Sequence, residues 1–183
     1  MIIAVTGMPL AGKGVVSTKL EEKGYPRLIM SSVVKEEMKK RNIEVNYENI
    51  LEFASSIRTE KGNCAVAWLC LPYLDDLLKD NKVVILDGVR SPEAIEMLKK
   101  QYGEDFVLVA VTASFEKRLK RLGREDHAGI EASNEEEMRN RDNKEISMGL
   151  ADTMDLADHM ITNDGSFEDF ELKIQELFNE LGV

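Results

Sequence analysis

The sequence predicts a three-layer α/β domain with a parallel sheet at its centre, and three observations carry that expectation. Five short apolar runs, at 2–6, 27–30, 83–86, 106–112 and 159–162, read as strands buried on both faces. Amphipathic segments of helical period separate them, and strands alternating with helices pair in parallel through right-handed crossovers. The first run then passes directly into Gly7-Met8-Pro9-Leu10-Ala11-Gly12-Lys13-Gly14. Its G-x-x-x-x-G-K spacing lets backbone N–H groups converge on a polyphosphate while the lysine reaches the outer phosphates.

Composition sets bounds on the rest. A chain of 183 residues, 43% hydrophobic, buries one sizeable core, so residues 1–183 are expected to form a single domain. A formal net charge of −10 argues against nucleic acid as the main partner, and none is expected, because phosphate-backbone binding rests on clustered cations. No apolar run approaches the length of a membrane span, and the chain is expected to be soluble and cytoplasmic. Cys64 and Cys70 lie six apart, about 240° around a helix. They match no zinc spacing and read as buried thiols. There is no internal repeat, and oligomeric state is left open.

Taken in order, the first strand and the loop are followed by a helix over 15–23 that closes at Gly24. The N-terminus of this helix supplies the positive dipole end that a phosphate prefers. The usual hydroxyl residue after the lysine is Gly14 here. After the second strand, the interval 31–79 holds three helical segments, 33–40, 47–61 and 65–79. After the fourth, the interval 114–157 holds a basic helix, a polar segment and a charged helix, with a flap expected over about 118–145. Insertions of this size at a sheet rim are usually lids or binding loops.

In parallel sheets ligands sit beyond the strand carboxyl ends. Gly7, Ser31, Asp87, Ser114 and Asn163 directly follow strands and should share one rim. Asp87 ends a buried strand beside the phosphate loop, a position suited to holding Mg²⁺ through water. Ser91, followed by Pro92 and Glu93, is the better cap for the next helix. Arg90 sits on the same turn and can fork onto an acceptor phosphate or carboxylate. In Glu116-Lys117-Arg118-Leu119-Lys120-Arg121-Leu122-Gly123-Arg124, the spacing of Phe115, Leu119 and Leu122 predicts a core face, leaving Arg118, Arg121 and Arg124 toward the rim or solvent. Such cations neutralise a transferring phosphoryl group, and Arg139 and Arg141 can join them. Asn163-Asp164-Gly165-Ser166 reads as the turn into the last helix, with Ser166 and Asp169 as a capping box. Ser17 and Thr18 read as helix-surface residues, and His127 and His159 have no visible partner motif.

These motifs together resemble the nucleoside monophosphate kinase group of P-loop proteins, which includes adenylate kinase and dephospho-CoA kinase. The nearest resemblance is to small archaeal adenylate-kinase-related proteins. It rests on GMPLAGKG at 7–14, AVA at 65–67, LDGVRS at 86–91, the 118–126 segment, RD at 141–142 and ADHMITNDGS at 157–166. The resemblance implies the P-loop nucleotide kinase fold: a five-stranded sheet of order 2-3-1-4-5, an acceptor-binding insert after the second strand and an arginine-bearing lid after the fourth. It also implies MgATP as donor, with Gly7 to Val15 around its phosphates and the Asn163 loop bordering the base.

Several positions depart from the group's pattern. Val15 stands where adenylate kinases carry Thr, and Leu10 replaces a glycine usual in the loop. Met30-Ser31-Ser32-Val33-Val34-Lys35 lacks the group's acceptor-side Asp and Arg. Ser31, Lys35, Arg58 and Arg90 are therefore the acceptor-binding residues expected, and AMP is not the assumed acceptor. The expected activity is ATP-dependent transfer of a phosphoryl group to a small nucleotide or nucleotide-like acceptor. Lys13, Asp87, Arg118, Arg121, Arg124 and Arg141 are its catalytic set. The alternative is a nucleotide-dependent switch or weak ATPase acting on a macromolecular partner.

Overall fold

The computed structural model describes residues 1–123 and 134–183. Its strands are β1 (Ile2–Gly7), β2 (Arg27–Ile29), β3 (Val84–Asp87), β4 (Phe106–Thr112) and β5 (His159–Thr162). They form one parallel sheet of order β2-β3-β1-β4-β5. This is the predicted order, and it puts β1 at the centre, where burial on both faces is greatest.

Successive residues of each central strand alternate between two cores. Ile2 and Ala4, with Val84, Leu86 and Leu108, face a cluster completed by Met38, Phe53, Leu74 and Leu98. Ile3 and Val5, with Ile85, Val109 and Val111, face a second cluster completed by Leu20, Phe170, Ile174 and Phe178. A period of two with both faces apolar is what a strand between helical layers requires.

The first layer takes α2 (Met30–Lys40), α3 (Tyr47–Lys61), α4 (Ala65–Asp80) and α5 (Pro92–Tyr102). The second takes α1 (Lys13–Glu22) and α9 (Phe167–Leu181). Between β4 and β5 lie α6 (Phe115–Leu119), α7 (Glu135–Ser147) and α8 (Leu150–Asp155). Ser91 caps α5 by accepting from the Ala94 N–H, with Pro92 at the first helical position. Ser166 and Asp169 close both halves of a capping box on α9.

Three boundaries depart from the expectation. The second strand ends at Ile29 and α2 starts at once, so Ser31 lies in its first turn and not in a loop. The first helix starts at Lys13, two residues early, because Gly12 at φ 117° turns the chain directly from loop into helix. The basic segment is helical only to Leu119, and its buried face is reversed. Arg118 is 4% exposed, whereas Phe115, Leu119 and Leu122 are only partly covered. Of the two thiols, Cys70 is buried and Cys64 only half so. Among the described residues, no helix is long and apolar enough to cross a membrane.

Candidate active site

The carboxyl ends of β1 and β3 and the insert helices enclose a cavity of about 520 Å³. One end of it is built by the glycine-rich loop. Gly7 leaves β1 at φ 144°, and a Cβ there would lie 2.2 Å from the Val111 carbonyl oxygen, so the loop can pass β4 only as glycine. At Gly12, with φ 117°, a Cβ would lie 2.5 Å from Asn163 Nδ2. Leu10 adopts φ 60°, the left-handed region that a glycine takes without cost. The conformation is thus kept where the resemblance expects glycine.

No side chain caps α1 and no carboxylate occupies its first turn. A helix start of that kind, entered from a glycine turn, suits an anion. Lys13 lines the cavity, its Nζ donating to the carbonyls of Gly7 at 2.8 Å and Met8 at 3.1 Å. Gly7, Pro9, Leu10, Gly12, Gly14 and Val15 share this wall. Met8 and Ala11 contribute backbone: the Ala11 carbonyl accepts from Asn163 Nδ2 at 2.8 Å and from Arg121 Nη1 at 3.2 Å.

Asp87 reaches the same wall because β3 pairs with β1 in the register Val5↔Asp87. Its carboxylate is held by residues that sequence reasoning did not single out. Oδ2 accepts from Ser17 Oγ at 3.2 Å and from the Arg27 guanidinium. Ser17 is fully buried, not on the helix surface as expected. Arg27 also donates to Glu21 at 3.1 Å. Ser17 lies one helical turn beyond Lys13, and Arg27 opens the strand that pairs with β3. These spacings follow once the strand order is known.

One carboxylate beside a phosphate loop fits Mg²⁺ as that ion is usually held, through its own waters and the substrate's phosphates. Gly14 and Val15 add no hydroxyl. Among the described residues no cluster of three or more His, Cys, Asp or Glu forms a cage, so only such a shared, water-bridged site is compatible with the donor set.

The arginines divide by environment. Arg121 lines the cavity and joins the glycine loop to the turn after β5, donating through Nη1 to the Leu10 carbonyl at 3.0 Å and through Nη2 to the Asn163 carbonyl at 2.8 Å. Arg118 is not directed to the rim. Its Nη1 and Nη2 meet Asp142 Oδ1 at 2.8 Å and Oδ2 at 2.7 Å, and Nη1 also reaches the Pro9 carbonyl at 3.2 Å. Helical periodicity placed Arg118 outward because it cannot anticipate a buried carboxylate arriving from α7. Arg139 stacks over Phe115 and pairs with Glu135. Arg141 faces the cavity. Arg124 lies outside the described residues. Ser114 is not in the cavity wall; it caps α6, and its N–H donates to Asp164.

The far end of the cavity belongs to the insert. Ile50, Ala54 and Arg58 repeat every fourth residue of α3 and give an apolar stripe ending in a guanidinium. Ser31 and Val34 come from α2, but Lys35 does not reach the wall. Burial lowers the Arg58 pKa, and neighbouring Arg90 lowers it further against the pull of Glu145. Arg58 donates only to Met148 Sδ at 3.8 Å and has no carboxylate within ion-pair distance among the described residues. Arg90 Nη1 meets Glu145 Oε1 at 3.0 Å. Gly165 and the half-exposed Phe167 line the cavity near Asn163, where an aromatic face suits a base.

Sheet order, glycine loop and strand-end aspartate together define a P-loop kinase-like domain. A family model for an AAA domain matches residues 3–144. The chain is 37% identical over 185 residues to a UPF0200 protein of Thermococcus onnurineus, covering 99% of this chain and 98% of that one. It therefore belongs to the UPF0200 family. It is also 37% identical over 180 residues to a UPF0200/UPF0201 protein of Archaeoglobus fulgidus, where it spans 98% of itself but about half, 55%, of the relative. Among solved structures it is similar to TT1252 from Thermus thermophilus, with TM-score 0.62, 22% identity and coverage of 99% and 97% of the two chains. Shikimate kinase from Bacteroides thetaiotaomicron gives TM-score 0.61 and 15% identity, with coverage of 100% and 99%. Identities this low speak for the fold alone.

Proposed function

We propose that this protein is a nucleotide-dependent phosphotransferase that moves the γ-phosphoryl group of ATP to a small nucleotide-like acceptor, of the nucleoside monophosphate or dephospho-CoA type. The observation that carries this reading is the continuity of one cavity from Lys13 and the glycine loop to Arg58 in the insert and Arg90 in the turn after β3. A hydrolase acting on water has no need of a second cationic end walled by apolar side chains.

In this reading the loop from Gly7 to Val15 cradles the donor phosphates, with Lys13 exchanging its two carbonyl partners for phosphate oxygens. Asn163, Gly165 and Phe167 border the base. Asp87 would hold Mg²⁺ through water, the ion supplying charge neutralisation for the outer phosphates when bound with the nucleotide, while Ser17 and Arg27 hold the carboxylate still. Arg90 and Arg58 bind the acceptor, with Ser31 beside them. Arg121 and Arg141 approach the transferring group, and Arg124 is assigned there by its sequence position. Lys35 and Arg118 drop out of direct contact, the first because it misses the wall, the second because Asp142 and the loop already use its donors. Transfer is then a matter of in-line positioning and charge neutralisation in a site closed to water.

The test is ADP formation with and without AMP, CMP, dCMP, UMP and dephospho-CoA, in the wild type and in Lys13→Ala. Acceptor-dependent turnover, reduced roughly 10²-fold or more in the variant, is the expected result. A slow rate that no acceptor changes would replace the kinase by a nucleotide-dependent switch or weak ATPase working on a macromolecular partner.

A further inference from the structure

Glu145 is the one carboxylate at the insert end of the cavity among the described residues that line it, and its surroundings are unusual. Its residue is 7% exposed. Oε1 is taken by Arg90, while Oε2 is buried with no hydrogen-bond partner among the described residues. It also attracts Arg58, whose guanidinium has no carboxylate within ion-pair distance among those residues. A buried carboxylate repels a phosphate, so Glu145 serves a phosphate site only by holding Arg90 through Oε1, and Oε2 has no part in that. An orphaned acceptor oxygen in that place costs free energy unless something donates to it.

We propose that the ligand of this end is a phosphorylated sugar with free hydroxyl groups, as in a ribonucleoside monophosphate, and that Glu145 accepts a hydrogen bond from a sugar hydroxyl. Arg58 and Arg90 hold the phosphate. The terminal carboxylate torsion of a glutamate is soft, so Glu145 can keep Arg90 on one oxygen and turn the other to the ligand. Phosphate and hydroxyl lie within one sugar ring of each other, which matches cations and carboxylate packed side by side. The apolar stripe of Ile50 and Ala54 then faces the base. The proposal rests on assigning the insert as the acceptor side, and it identifies the recognition element that discriminates among anions.

Matched ligands test it by binding alone. AMP and CMP are titrated against their 2′,3′-dideoxy counterparts, and against inorganic phosphate, in the presence of ADP to occupy the donor half. The wild type should bind the ribose forms roughly 10-fold or more tighter, the scale of a hydrogen bond to a charged group. Glu145→Gln should bring that ratio toward unity while leaving dideoxy ligands bound as well as before or better. Arg58→Ala should weaken all four mononucleotides alike. A wild type with no ribose preference, including one that binds none of the mononucleotides, overturns the proposal, as does a preference that survives in Glu145→Gln. The wild-type ratio needs no variant to fold. ADP formation in the same panel separates the two readings. Acceptor-dependent turnover with an unchanged ribose ratio sinks only the role of Glu145, and absence of acceptor-dependent turnover here and with dCMP, UMP and dephospho-CoA sinks the kinase.

Discussion

Arg118 and Asp142 form a buried two-bond ion pair that ties the segment after β4 to α7 and, through the Pro9 carbonyl, to the glycine loop. Their side chains are 5% and 10% exposed. Removing one partner strands the other charge in a poorly solvated place, at a cost of about 3–5 kcal/mol. Arg118→Ala and Asp142→Asn should therefore each lower the denaturant midpoint strongly. The double replacement Arg118→Met with Asp142→Leu should recover much of the loss, since an apolar pair leaves nothing uncompensated. If Arg118→Ala instead keeps full stability and loses turnover, Arg118 contacts the reacting group after all.

The same pair shows where sequence reading stops. The strands were legible because short apolar runs between helical periods read as buried parallel strands, their order came with the resemblance, and the glycine loop was legible because its spacing is dictated by phosphate geometry. Asp87 was legible as a strand end next to that loop. Ser17, Arg27 and Glu145 were not, because each gains meaning from a partner 60 or more residues away or on another element. Periodicity ranks a helix face by hydrophobicity, so it turned Arg118 outward. A guanidinium with two hydrogen-bonded carboxylate oxygens is satisfied inside, and the partner that makes it so lies 24 residues on.

Gly12→Ala tests the loop without touching a charged group. The new Cβ would sit 2.5 Å from Asn163 Nδ2 and 3.1 Å from the Phe170 ring, at a φ of 117° that alanine adopts only under strain. Asn163 cannot retreat and keep its bond to the Ala11 carbonyl. Weaker nucleotide binding with a lowered melting temperature is expected, measured by ADP titration and calorimetry. Gly24→Ala is the control, since a Cβ there meets nothing within 4 Å. It should cost some stability from its φ of 91° but leave ADP affinity unchanged.

Metal dependence should pass through Asp87. The affinity of the wild type for ADP should rise when Mg²⁺ is added to chelator-treated protein. In Asp87→Asn that rise should shrink, with affinity in the metal-free state nearly retained. Asp87→Asn also leaves the buried Arg27 guanidinium with Glu21 alone as its charge partner, so lowered stability accompanies it. Ser17→Ala removes only one neutral donor, a loss of about 1 kcal/mol, and separates the two effects. It should blunt the Mg²⁺ response while the protein stays folded. An identical Mg²⁺ response in all three proteins would remove Asp87 from the metal site.

Arg90 and Glu145 should behave as a coupled unit. Arg90→Ala removes a cation proposed to bind the acceptor and leaves Glu145 buried with both oxygens unpaired, so it should raise the acceptor KM and lower stability together. Glu145→Gln alone keeps the shape and relieves the buried charge. In the double variant the stability loss should be smaller than that of Arg90→Ala alone, because a neutral amide tolerates the missing guanidinium better than a carboxylate does. The acceptor KM, by contrast, should stay high, since the cation proposed to bind the acceptor phosphate is still absent. A double-mutant cycle on unfolding free energy and on KM therefore separates the two jobs of Arg90. Additive stability changes would mean that the 3.0 Å contact carries no energy. Weakened ADP binding in Arg90→Ala would place that arginine on the donor side of the cavity.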